Sequence, residues 1–172
     1  MVKTMRNTAR LSESIQSARS RRFISGNPAD KLSGGFFTET ITGELLDRKV
    51  LRHPYFAFIY LLEGSGEFID YEGRSHVFQP GCLAVRAPGK KYSVIKKGPG
   101  VWFEFAAAAP QSLYQALCAV KAIDEKTTFL SPGISAEIIA KAQSFIRSLD
   151  IFTSPSHTAR ACVSFLDLFT TI

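Results

Sequence analysis

Side chains able to do chemistry are few in this 172-residue chain, and they do not converge on a catalytic pattern. The histidines His53, His76 and His157 lie in unrelated contexts. One imidazole cannot hold a catalytic divalent metal, which takes three or more protein donors. Cys82, Cys118 and Cys162 are far apart with no Cys-x-x-Cys, so they read as reduced thiols of a cytosolic protein rather than a disulfide framework or zinc site. There is no nucleophile elbow, phosphate loop or dinucleotide fingerprint, and Gly64-Ser65-Gly66 is too short to cradle phosphate. What stands out is a set of aromatics and carboxylates, Tyr92, Trp102, Glu104 and Glu63. Aromatic faces stack on a sugar's C–H face or a flat ring, and carboxylates orient hydroxyls or a cation, so these types suit a small polar ligand. The expectation is a binding protein and not an enzyme, with no catalytic residue, metal or cofactor.

The elements that must position this set are short strands. Phe56 to Leu62 is an apolar run, Glu67 to Tyr71 a second run, and Glu72-Gly73-Arg74 a hairpin turn. Val77-Phe78 begins a third strand, Cys82 to Arg86 forms a fourth, and Pro88-Gly89 ends it. Tyr92 to Ile95 and Val101 to Phe105 come next, across a turn at 96–100. Strands at this spacing favour a sandwich or barrel. Upstream, residues 34–46 alternate Phe37, Glu39 and Ile41 against Phe36, Thr38, Thr40 and Thr42, a strand with one polar face. Residues 45–53 read as either a strand or a loop.

From Pro110 the period changes to that of helices. Leu113, Leu117 and Val120 keep helical spacing, and Ser135 reads as an N-cap. Ile138, Ala142, Phe145, Ile146 and Leu149 make one stripe; Ala161, Phe165, Leu168 and Ile172 make another after Pro155. The second pattern is still running at Ile172, as expected of a protein that continues. The fold class expected is mainly β with C-terminal helices (α+β), strands first and helices after.

Hydrophobic content of 45% supports a real core, and no apolar run approaches the roughly 20 residues of a membrane span. The first residues are basic with no apolar segment behind them, so a secretory signal is not expected. Of the net charge of +6, most sits in residues 1–31, where seven Lys and Arg face two acids. That segment reads as a mobile basic arm, with weak helical spacing at Leu11, Ile15 and Ala18.

The order of apolar run, Glu63-Gly64-Ser65-Gly66, strand, Tyr71-Glu72-Gly73, strand, Pro80-Gly81, Leu83-Ala84-Val85 and Pro88-Gly89 resembles the cupin barrel. More narrowly, it resembles the N-terminal effector-binding domain of AraC-type transcription regulators over roughly residues 36–172, including Trp102 to Phe105 and the helical tail TFLSPGISAEIIAKAQSFIRSL. The resemblance implies a cupin-like double-stranded β-helix barrel at 34–106, a basic arm at 1–33 and a helical dimerisation segment at 107–172. It also implies a small-molecule effector, a homodimer, a cytoplasmic location, and DNA contact only through a C-terminal helix-turn-helix domain outside these residues. Two other readings are a metal-free cupin epimerase or isomerase and a stand-alone small-molecule-binding cupin.

Laid on the cupin metal motifs, Gly64 and Gly81 place Leu51, His53, Ala57 and Tyr92 at the four ligand positions. Only His53 matches, and beside Pro54 it reads as a surface or strand-edge residue. Strand parity then turns Ala57, Ile59, Leu61 and Glu63 inward, with Phe56, Phe58, Tyr60 and Leu62 outward under helices or a partner. Tyr92 and Val94 point in; either Trp102 and Glu104, or Val101, Phe103 and Phe105, do the same. The expected ligand set is Trp102, Tyr92, Glu104, Glu63, Ile59 and Leu61, with Thr38 and Thr40 from the upstream strand. The expected dimerisation set is Ile138, Ala142, Phe145, Leu149, Ala161, Phe165 and Leu168.

Overall fold

The computed structural model describes residues 19–23, 31–42, 49–150 and 155–172. Ten strands come first and nearly in sequence: β1 (Arg19–Phe23), β2 (Lys31–Ile41), β3 (Lys49–Arg52), β4 (Phe56–Glu63), β5 (Ser65–Ile69), β6 (Ser75–Phe78), β7 (Leu83–Arg86), β8 (Lys91–Lys97), β9 (Gly100–Ala109) and β10 (Phe129–Leu130). Helix α1 (Gln111–Ala119) precedes β10, and α2 (Ala136–Asp150) and α3 (Pro155–Thr171) follow it. The strands form a six-stranded sheet ordered β1-β2-β9-β4-β7-β10 and a four-stranded sheet ordered β3-β8-β5-β6. Every described strand pair is antiparallel. This is the mainly β architecture with C-terminal helices expected from the sequence, two sheets closing on a shared interior.

The centre of the six-stranded sheet is buried on both faces. Its inner face packs on the smaller sheet through Ile41, Ile59, Leu61, Phe68, Phe78, Cys82, Ala84, Tyr92, Val94 and Trp102. Its outer face packs on the helices through Phe36, Phe56, Phe58, Tyr60, Leu62, Phe103 and Phe105. Two-sided burial is why Phe56–Leu62 is apolar at every position while its residues still alternate between two cores. The parity expected for β4 therefore holds from Phe56 to Leu62, and the open choice in β9 resolves to Trp102 and Glu104 inward.

The outer cover comes from the chain itself, which corrects the expected dimerisation set. Ile138, Ala142, Phe145, Leu149, Ala161, Phe165 and Leu168 are all at most 3% exposed in the single chain. Phe165 sits with its ring centre 6.1 Å from Phe56 and 5.5 Å from Phe145. A stripe this apolar must be covered, and here the barrel's phenylalanine face covers it. Helix α2 approaches closely because Gly34 has no side chain: a Cβ there would lie 2.6 Å from the Phe145 ring. At its start, Ser135 caps α2, its Oγ accepting from the Ile138 N–H at 3.4 Å. The Tyr60 hydroxyl ties the same turn to β4 by donating to the Gly133 carbonyl at 2.5 Å and accepting from the Ser135 N–H.

The expected boundaries shift as well. Residues 19–23 belong to the sheet, with Arg19 paired to Gly35 and Phe23 to Lys31, and Leu32 is fully buried. The arm read at 1–33 thus contains barrel strands, and the barrel read to 106 continues to Ala109. The helical spacing at Leu11, Ile15 and Ala18 lies outside the described residues. Residues 49–52 are a strand.

Asp70 locks the β5–β6 hairpin to the chain before β10. Its Oδ1 accepts from the backbone N–H groups of Glu72 and Arg74, and its Oδ2 accepts from Arg74 Nε at 2.8 Å and Thr128 Oγ1 at 2.9 Å, with His76 Nε2 at 3.2 Å. Burial pushes this carboxyl's pKa up, but the hydrogen bonds from His76, Arg74 and Thr128 outweigh it and hold the pKa far below the usual range.

Candidate ligand site at one end of the barrel

Most of the inner space is filled by aromatic rings. The Trp102 indole is 1% exposed, meets Phe78 edge-on at 5.6 Å and covers Gly66, where a Cβ would come within 2.9 Å of the ring. Phe68 and Phe129 stack beside it, ring centres 6.2 Å apart. The indole N–H donates to Glu104 Oε2 at 2.6 Å, and Lys96, ion-paired with Glu39, lies 5.1 Å above the indole. Trp102 is therefore a core residue whose one polar atom is satisfied by the half-buried Glu104.

The opposite end of the same face is built from small residues. Along β9 the inward positions run Trp102, Glu104, Ala106, Ala108; along β4 they run Leu61, Ile59, Ala57. The side chains shrink towards this end and leave a cavity of about 150 Å³, lined by Ala57, Ala106, Ala108, Ser33, Phe37, Tyr55, Lys31 and Arg86 among others. Each strand has a reason to contribute. Cys82, just before β7, and Ala84 within it turn inward, so Arg86 is the next inward position, and it pairs in register with Ala57. β2 brings Lys31 and Ser33 to the same end.

The electrostatics of this end are cationic. Arg86 donates from a guanidinium NH to the Tyr92 hydroxyl at 2.8 Å, while its Nε is buried without a hydrogen-bond partner. Lys31 Nζ donates to the Tyr55 hydroxyl at 3.4 Å and lies 4.7 Å over that ring. His53 stacks on Tyr55 at 4.8 Å and has its ring centre 6.0 Å from that of Tyr92. Burial, then the charges of Arg86 and Lys31, lower the His53 pKa and favour the neutral imidazole. Burial also raises the Tyr92 pKa, against the pull of Arg86. No carboxylate is among the described residues lining the cavity.

The expected ligand set is thus divided. Ile59, Leu61, Tyr92 and Trp102 come together in the inner core, with Glu104 attached through the indole. None of them lines the cavity directly, and Tyr92 reaches it through Arg86. Thr38 and Thr40 are a correction: they are exposed and share the outer parity of Phe36, because β2 turns Phe37, Glu39 and Ile41 inward. Glu63 is partly exposed at the end of β4, beyond a register shift between Leu61 and Glu63 that breaks the alternation. Arg86, Lys31, Ser33 and Tyr55 were missed by sequence reasoning. For Arg86 the signal was present: Cys82, Ala84, Arg86 alternates, and a charge at an inward position needs a reason. Among the described residues no group of three His, Cys, Asp or Glu is placed to hold a metal ion.

No family model matches the chain, and no curated protein matches it. Solved structures do. ToxT from Vibrio cholerae strain SCE256 with bound unsaturated fatty acid superposes with a TM-score of 0.52 at 9% identity, over 81% of this chain and 52% of that one. ToxT from Vibrio cholerae O395 bound to (E)-4-(8-methylnaphthalen-1-yl)but-3-enoic acid gives 0.51 at 9% identity, over 78% and 54%. A P21 form of Vibrio cholerae ToxT gives 0.51 at 12% identity, over 82% and 55%. The likeness is one of fold, and this chain spans about half the length of those structures. It agrees with the barrel fold expected from the sequence. No described helix is long and apolar enough to cross a membrane.

Proposed function

We propose that this chain is the ligand-sensing domain of an AraC-type transcription regulator, and that its effector enters the barrel at the Arg86 end. The observation that carries this reading is the division of the interior. One end is sealed by Trp102, Phe68, Phe78 and Phe129, and the other opens onto Ala57, Ala106 and Ala108 beneath two cations. A cavity with apolar walls and a few convergent polar groups is what small-molecule sites look like. The shared fold with ToxT, solved with two different small molecules, supports the same use.

In this reading the chain turns nothing over and functions in the cytoplasm. Homodimerisation belongs to the proposal and uses side chains other than the seven buried ones. DNA is contacted by a helix-turn-helix domain beyond these residues, so the chain alone should not shift duplex DNA. The test is a thermal-shift screen with a panel of small metabolites, repeated on Ala106→Phe, which fills the cavity. A compound that stabilises the wild type and not Ala106→Phe supports the site. Equal stabilisation of both places binding elsewhere.

A further inference from the structure

The cavity's chemistry narrows the class of ligand beyond a generic small polar molecule, given that this cavity is the effector site as proposed above. Three of the four positions at which a cupin barrel carries its metal ligands surround one side chain here. Tyr92 accepts a hydrogen bond from Arg86 at 2.8 Å, Ala57 is its cross-strand partner, and His53 feels its charge. We infer that Arg86 is an anion-binding residue and that the effector is a short-chain carboxylate, its head on Arg86 and its stem against Ala57, Ala106 and Ala108.

Four observations carry this. First, Arg86 lines the cavity with a fixed positive charge, and the 2.8 Å bond from one of its NH groups to the Tyr92 hydroxyl holds the guanidinium in place for a ligand oxygen. Second, Lys31 adds another positive charge to the same lining, and no carboxylate is among the described residues that line it. A planar carboxylate matches the guanidinium fork better than a hydroxyl does, and such charge-assisted bonds are about twice as strong as neutral ones. Third, the remaining polar lining, Ser33 and Tyr55, is hydroxylic and can donate to an anion. Fourth, the volume is small. At about 150 Å³ it lies below the usual range of small-molecule sites, which favours a short ligand over a long chain. The aromatic plug beyond Ile59 and Leu61 stops a longer chain from running down the barrel.

Calorimetric titration of the full chain with acetate, butyrate and octanoate, and with acetamide and butyramide as uncharged isosteres, tests this. The expected result is that butyrate binds at least tenfold more tightly than butyramide and no less tightly than octanoate. Arg86→Gln should remove the preference for the acid, and Arg86→Lys should restore part of it. Butyrate and butyramide binding alike to the wild type would overturn the inference without reference to any variant, as would failure of all the carboxylates to bind. Octanoate binding more tightly than butyrate would overturn the size limit. The cavity reading falls separately: if Ala106→Phe leaves binding of every probe unchanged, the site itself is wrong. A neutral probe sensitive to Ala106→Phe but not to Arg86→Gln keeps the site and sinks the carboxylate.

Discussion

The two ends of the barrel's inner face share strands β4 and β9 but are built by different rules. At the Trp102 end, large rings meet large rings and the polar atoms on them are satisfied, the indole N–H by Glu104. At the Arg86 end, alanines replace rings, two cations face the space, and a guanidinium nitrogen lacks a partner. The first end behaves as core, in which every atom has a neighbour. The second carries the deficits that make a surface receptive. The difference teaches that the most conspicuous binding-type residue, the sole tryptophan, is here a packing residue.

Mutations can break or sharpen this contrast. The largest effect is expected on the packed side of the sheet. Phe165→Asp puts a carboxylate among the Phe56, Phe58 and Phe145 rings and should cost about 5 kcal/mol or more, unfolding the chain in urea melts followed by circular dichroism. A folded, soluble monomer would show that the helices are not core.

Trp102→Ala should cost about 3–5 kcal/mol, as large buried truncations do, yet leave the affinity of any cavity ligand within about twofold. Loss of binding with little loss of stability would reverse the roles of the two ends.

Asp70→Asn should cost about 3 kcal/mol near neutral pH, because an amide donates towards Arg74 instead of accepting from it. The lowered native pKa sets the sign of the pH dependence. The carboxylate's contribution is complete above the ordinary value of 3.8 and is lost as pH falls below that value. The wild type should therefore lose its advantage over Asp70→Asn in acid melts; a stability gap independent of pH would contradict this.

Much of the fold was legible in the sequence because strand alternation and helical spacing are local signals. Phe56 to Leu62 could be sorted into two faces by parity alone. What parity could not say was which face of β2 was the lumen, so Thr38 and Thr40 went to the wrong side. Nor does a helical stripe say what covers it: Phe145 and Phe165 read equally as seams for a second copy and as cover for their own sheet. The candidate site was less legible. It depends on Lys31, Tyr55 and Arg86, far apart in sequence and brought together by strand order, and on a cavity defined by small residues, which draw no attention in a sequence.

The smallest change in stability is expected at the Arg86 end. Arg86→Gln should move the folding free energy by under about 1 kcal/mol, since the partly satisfied guanidinium contributes little net stability. A larger loss would make Arg86 a structural residue.

One spectrum compares the two ends directly. In a ¹H–¹⁵N spectrum the sole tryptophan gives a single indole N–H signal, from Trp102, and the Arg86 Nε–H signal is assigned by its loss in Arg86→Lys. On adding butyrate, the account predicts that the Arg86 Nε–H signal shifts as its guanidinium binds the carboxylate, with the Trp102 indole signal unmoved. A shifted indole with an unmoved Arg86 signal, or no shift in either, would contradict it.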